Sequence, residues 1–223
     1  MLSSKEFPRF YGRRKGRKLS KSGILALKEG SKYILEYDKF SETFLNFKDK
    51  IILEIGFGDG KNLINSAKQN PDTFYIGADP FLNTTVKCLK QILENNLNNI
   101  KIWPDDIRKI IEFFPSKSIS EVKLLFPDPW PKLKHQNRRL VQTDFLNSIY
   151  KILKIKGTIT IGTDHTILKS WILEVFQANL KFVWQVEDSK DWRTRPKECF
   201  ATKYEEKSLR EKRKPSWFVF SKN

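Results

Sequence analysis

Cysteine is nearly absent. Cys88 and Cys199 stand far apart in a chain of 223 residues. That separation offers neither a metal-ligand spacing nor a disulfide framework, and a reduced cytoplasmic protein is the simplest expectation. Histidine is as scarce. His135 and His165 have no partner spacing, and the surplus of basic residues would repel a cation, so no metal is expected. No run approaches the roughly 18–20 consecutive apolar residues that a membrane helix needs, so no membrane is expected either. The opening MLSSKEFPRFYGRRKGRKLS lacks the apolar stretch of a secretory signal. Long disordered character is excluded by 39% hydrophobic and 13% aromatic content. The length suits one α/β domain with a substantial core.

Positive charge is what the sequence has in excess: 42 Lys and Arg against 26 Asp and Glu, a formal net charge of +16. Residues 1–30 carry nine basic and two acidic side chains, and residues 190–223 carry eleven and five. The stretch between them holds 22 and 19. Two basic ends around a near-neutral middle suggest a polyanionic partner. The abundance of Lys, Asn and Ile is also what a compositional bias would produce, so charge alone leaves nucleic acid open.

Residues 1–22 read as a flexible basic arm, and residues 23–223 as a single domain. From Ile51 onward, apolar runs alternate with helical spacing. IILEI (51–55), TFYIGA (73–78), IKIW (100–103), EVKLLF (121–126) and GTITIGT (157–163) suit buried strands. Helices are expected between them. One has Leu63, Ile64 and Ala67 on its inner face, another Val86, Leu89, Ile92 and Leu93, and another Phe145, Ile149 and Ile152. IRKIIEFF (107–114) reads as a short helix, and 166–178 as a further one. FVWQVE (182–187) and SWFVFS (216–221) read as a closing antiparallel pair around a long insertion. The pattern implies an α/β, doubly wound, mostly parallel sheet with helices on both faces and an antiparallel C-terminal strand. Ligands bind such sheets beyond the carboxyl ends of the strands.

The residues at those ends carry the chemistry. Glu54-Ile55-Gly56-Phe57-Gly58-Asp59-Gly60 follows the first strand. Its spacing is G-x-G-x-G, not the dinucleotide G-x-G-x-x-G, and the loop holds no base for a pyrophosphate. An acid at Glu54 suits a cationic ligand without phosphate, such as S-adenosylmethionine. Asp79 ends the second strand, where a carboxylate can accept from ribose hydroxyls or cap the next helix. Asp105 and Asp106 end the third strand, and sequence logic does not separate an adenine contact from a cap. Asp164 ends the fifth.

The fourth strand ends in FPDPWPKLKHQNRRL (126–140). Pro127 and Pro129 leave Asp128 little backbone freedom. Trp130 could stack on a base or pack the loop. Lys132, Lys134, His135, Arg138 and Arg139 could meet phosphates or form a solvated helix start.

Together these motifs resemble the bacterial tRNA (guanine-N7-)-methyltransferases, a class I S-adenosylmethionine-dependent family. The likeness spans residues 7–220. LEIGFGDG is common to many methyltransferases, whereas FPDPWPK with H-x-x-RRL is specific to this family. TKYEEK (202–207) and the arm FYGRRKGRKLS match as well. The resemblance implies S-adenosylmethionine contacts at Glu54, Gly56, Gly58, Asp79, Asp105 and Asp128, with Asp128 also catalytic. It implies substrate binding by Lys132, Asp164, Thr202, Lys203, Tyr204 and Glu205, and tRNA contact by Lys134, His135, Arg138 and Arg139. Asp164 and Glu205 are the candidate acceptors for the guanine N1 and N2 hydrogens. The implied reaction methylates N7 of a variable-loop guanine in tRNA, in the cytoplasm, by a monomer or homodimer. Two departures stand out. Asp79 replaces the more usual Glu, and extra residues separate Arg195-Pro196 from Thr202. Other readings are a methyltransferase for an exocyclic amine, of whose Asp/Asn-Pro-Pro-aromatic motif Asp128-Pro129-Trp130 is a near miss, and a noncatalytic tRNA-binding protein on the same scaffold. A dehydrogenase is disfavoured by the glycine spacing.

Overall fold

The computed structural model describes residues 9–36, Phe44 and 50–223. Among them, seven strands form one sheet: β1 (Ile51–Ile55), β2 (Phe74–Ala78), β3 (Ile100–Trp103), β4 (Ile119–Leu125), β5 (Leu153–Thr163), β6 (Phe182–Trp184) and β7 (Ser216–Lys222). Their order is β3-β2-β1-β4-β5-β7-β6. The pairs from β3 to β5 are all parallel. β7 enters antiparallel between β5 and β6. The strand order reverses between β1 and β4, and the crevice at their carboxyl ends is where such sheets bind ligands.

The helices are α1 (Lys21–Glu29), α2 (Lys61–Gln69), α3 (Leu82–Glu94), α4 (Thr143–Ile152), α5 (Thr166–Gln177) and α6 (Lys203–Arg210). Pleating sends alternate strand residues to opposite faces. Ile51, Leu53, Ile55, Val122 and Leu124 join Phe145, Ile149, Leu168 and Ile172 in the larger core, under α4 and α5. Ile52 and Tyr75 join Leu63, Ile64, Leu89 and Ile92 in the second core, under α2 and α3. Glu54 and Lys123 belong to that second face by the same alternation, and both are buried.

Three elements depart from expectation. IRKIIEFF is two 3-10 turns, Ile107–Lys109 and Ile111–Phe113, not one helix. Asp106 caps the first by accepting from the Arg108 N–H at 3.0 Å. Ile110 then leaves helical geometry at φ −122°. β5 starts at Leu153, where helix had been expected, and its pairing with β4 shifts register between Ile119 and Glu121 before resuming. β6 stops at Trp184, three residues early.

The first eight residues of the expected basic arm lie outside the described residues. Residues beyond them run along the β3 side of the crevice. Gly16 N–H donates to Asn83 Oδ1 at 2.7 Å, and Leu82 N–H donates to the Arg14 carbonyl at 3.0 Å. α1 then begins at Lys21, capped by the Ser20 hydroxyl.

Candidate active site

A cavity of about 410 Å³ opens at the carboxyl ends of β1, β2 and β4, roofed on one side by Phe10–Arg13. The glycine loop forms part of its wall. Gly56, Gly58 and Gly60 all have positive φ, at +74°, +57° and +82°. Gly58 turns its N–H to Asp79 Oδ2 at 2.9 Å, a conformation that a Cβ would strain. Above Gly56, a Cβ would meet no protein atom within 4 Å, so the space over this backbone is open.

Three carboxylates line the cavity: Asp79, Asp106 and Asp128. Asp79 is buried and accepts from Gly58 N–H, from Phe81 N–H at 2.8 Å and from the Thr84 hydroxyl at 3.1 Å. Burial still holds its carboxyl above the ordinary range. Asp106 is also buried and pairs with Arg108 at 2.5 Å. Asp128 is exposed, and among the described residues no protein group donates to it. The surrounding walls desolvate it enough to raise its carboxyl.

The loop that carries Asp128 is strained and braced. Phe126 and Trp130 have φ of +55° and +40°, outliers for aromatic residues that cost about 1–3 kcal/mol each. Phe126 is held by its N–H to the Gly162 carbonyl at 2.8 Å and by an edge contact with Trp217. Arg139 holds the other end. It is buried, donates to the Pro129 and Trp130 carbonyls at 3.2 Å each, and lies over the Trp171 ring. A bent loop between two anchors points the one free carboxylate into the cavity.

A family model described as "Putative methyltransferase" matches residues 48–217. A tRNA (guanine-N(7)-)-methyltransferase of Hyphomonas neptunium is 38% identical over 95% of this chain and 98% of its own length. That of Bartonella quintana is 34% identical over 96% and 95%. The chain belongs to the tRNA (guanine-N(7)-)-methyltransferase family. Its fold is likewise that of solved methyltransferases. The 16S rRNA methyltransferase KamB matches with a TM-score of 0.61 at 16% identity, over 85% of this chain and 95% of that one.

The methyltransferase fold brings together only part of the set implied by the family motifs. Gly56, Gly58, Asp79, Asp128, Arg138 and Tyr204 line the cavity. Asp105 does not. Its carboxylate is taken by Arg14 at 2.7 Å and Lys109 at 2.5 Å. Burial acts to raise it, but these bases and the Asp106 N–H hold it below the usual range. Asp106 is the residue of that pair on the cavity wall. Glu54 does not line the cavity either; it points to the second face and accepts from Asn62. Burial lifts its carboxyl to about 7.

On the substrate side, Lys132, Lys134, Lys203 and Tyr204 are exposed. His135 faces Trp130 edge-on, and partial burial and the charges of Arg138, Lys134 and Lys132 lower its pKa. Arg138 lies over Tyr11 and Trp130, at 4.6 and 5.0 Å from the ring centres. Arg139, expected among the RNA contacts, is instead the buried brace of the Asp128 loop. Thr202 caps α6 by accepting from the Glu205 N–H. Both candidate guanine acceptors are already paired in this structure: Glu205 is buried against Arg195 at 3.0 Å, and Asp164 binds Arg213 at 2.6 Å.

Phe10–Arg13 and Thr84 line the cavity and are missed by strand-end reasoning, which reaches as far as Phe81. The aromatic pair Phe10-Tyr11 inside a basic arm is the local signal for the first group. Nothing local marks Thr84. Among the described residues, no cluster of three or more His, Cys, Asp or Glu could hold a metal ion, and no helix is long and apolar enough to cross a membrane.

Proposed function

We propose that this enzyme transfers a methyl group from S-adenosylmethionine to N7 of a variable-loop guanine in tRNA, in the cytoplasm. The observation that carries the reading is the free carboxylate of Asp128 on the wall of a cavity whose other two acids are already engaged. Membership of the family supplies the substrate class.

The residues fit the donor. The open space over Gly56 admits a ligand against the backbone. Asp79, pinned by three donors, keeps one acceptor site, on Oδ2, of the kind that accepts from a ribose hydroxyl. Asp106, on the same wall, could meet an adenine amine only by giving up part of its pairing with Arg108. When bound, S-adenosylmethionine supplies a methyl carbon that is already electrophilic.

Guanine N7 bears a lone pair and no proton, so the chain need not deprotonate it. What remains is positioning, which can supply several kcal/mol. Asp128 serves that task by accepting a hydrogen bond from the guanine or from the donor's amino group. Extruding the guanine from folded RNA costs a few kcal/mol. Exposed Lys132 and Lys134, with the basic arm of residues 1–22, offset that cost through phosphate contacts.

The test is transfer of labelled methyl to an unmodified tRNA transcript, beside the same transcript with its variable-loop guanine replaced. Label on the first alone, at N7, is the expected result. Label on both discards the assigned position, and label at an exocyclic nitrogen discards the N7 chemistry.

A further inference from the structure

Beneath the cavity, on the second face of the sheet, lies a polar layer that methyl transfer does not use directly. Glu54 of β1 and Lys123 of β4 are register partners and point to that face together. Both are buried, at 2% and 1% exposure, as is Asn62 in the first turn of α2. Asn62 Nδ2 donates to Glu54 Oε2 at 2.6 Å. Asn62 Oδ1 accepts from the Phe200 backbone N–H at 2.8 Å. The Phe200 backbone N–H can only donate, so the amide atom facing it is the oxygen, and the amide nitrogen is the one turned to Glu54. Beside it, Lys123 Nζ donates to the Glu198 carbonyl at 2.7 Å. Between these two bonds, Cys199 is buried in a small cluster with Leu125 and Trp217.

Three consecutive residues of a connecting segment are thus pinned from below. A loop normally leaves such backbone groups to water. Buried ionisable groups are costly unless they are paired and bonded, so a lysine and a carboxyl-backed amide spent on loop backbone call for a reason. The chain on either side supplies one. Asn62 follows directly on the glycine loop that walls the cavity. Phe200 leads within two residues into Thr202–Glu205, whose Tyr204 reaches the same cavity.

We propose that Asn62 and Lys123 are positioning residues that register the Thr202–Glu205 block to the glycine loop, and so set the guanine side of the cavity against the donor side. The proposal rests on the methyl-transfer reading above. If that reading fails, the unaltered chain transfers no methyl group to tRNA, a result independent of any variant.

The test uses the full chain and a polarity swap. Asn62→Asp places two carboxyl groups face to face, and Glu54→Gln keeps an oxygen that can accept from the Asn62 amide nitrogen while Phe200 N–H still holds the amide oxygen. Combining the two substitutions restores both bonds with their roles exchanged. The new amide on β1 donates to one oxygen of the new carboxylate on α2, and the other oxygen accepts from the Phe200 N–H. The expected result for Asn62→Asp is a loss of about ten- to hundredfold in kcat/KM for tRNA. Donor affinity by calorimetry is unchanged, and the double variant recovers most of the loss. Equal losses of donor and tRNA binding, or a double variant no better than the worse single, overturn the proposal. Asn62→Ser is the milder check should Asn62→Asp not fold. Amide exchange is expected to quicken at residues 198–205 while the glycine loop stays protected. Unchanged exchange at 198–205 overturns it too.

Discussion

On the β1–β3 side of the cavity, the chain is placed by its backbone. Gly56, Gly58 and Gly60 take positive φ, and Asp79 gathers the Gly58 and Phe81 N–H groups and the Thr84 hydroxyl. On the β4–β7 side, long basic side chains do the holding. Arg139 braces residues 129–130, Arg195 holds Glu205, Arg213 holds Asp164, and Lys123 holds Glu198. Some of the positive charge that looks like an RNA surface is therefore bracing, buried at Arg139 and Lys123 and part-exposed at Arg195 and Arg213. Net charge correctly signals a polyanion partner, but it overcounts the contacts. Lys132 and Lys134, exposed and without such a bracing task, are the ones left for the proposed phosphate contacts.

The largest effect expected from breaking this division is at its one unbraced acid. Asp128→Asn leaves the loop anchors intact and removes the carboxylate charge. Turnover on tRNA should fall by about a hundredfold, with thermal stability unchanged. A variant that keeps full turnover would remove Asp128 from the chemistry. Next comes the contrast between two bases in the same segment. Arg139→Met should cost about 2–4 kcal/mol in chemical denaturation, because two loop carbonyls lose a charged donor. Lys134→Met should leave stability alone, weaken tRNA binding uniformly and lower the log–log salt slope by about 1. Identical behaviour of the two would erase the distinction between brace and contact.

The last effect is a pH dependence on the backbone-placed side. Burial lifts the Glu54 carboxyl from its ordinary 4.5 to about 7. Between those values the folded chain keeps a proton that the unfolded chain has released. Stability from this group therefore falls as pH rises through the window, and the penalty is complete above it. Glu54→Gln does not titrate, so its stability relative to the unaltered chain should climb from about pH 5 to about pH 8. Urea unfolding across that range checks it; a flat difference would mean that Glu54 is not desolvated as described.

The same division explains what could be read from the sequence. Strands β1 to β5 announce themselves as apolar runs, and the glycine loop and FPDPW lie at their ends, so the crevice and Asp79 and Asp128 were legible. Local pattern also misleads at particular places. Ile107, Ile110, Ile111 and Phe114 are buried at a spacing that mimics a helix, but the Asp106 cap and Ile110 turn the segment into two tight turns. Asp105 and Asp106 are adjacent acids, and the positions of Arg14 and Lys109 leave Asp106 as the one on the cavity wall. Arg139, Arg195, Arg213 and Lys123 act on partners that their own sequence neighbourhoods do not mark. Such pairings leave no periodic trace, because the fold makes them.

The position of β7 bears on how the chain is made. Translation delivers β5 and β6 first, with residues 185–215 still to come before β7. Yet β7 is the strand that lies between them, and β6 pairs in the sheet with β7 alone. Until it arrives, the β5 edge and the whole of β6 are open templates for wrong partners, a hazard for any chain on the ribosome. A chain broken off before Ser216 would carry Asp128 and the glycine loop, but would lack Trp217 beneath Phe126 and would expose both edges to its neighbours.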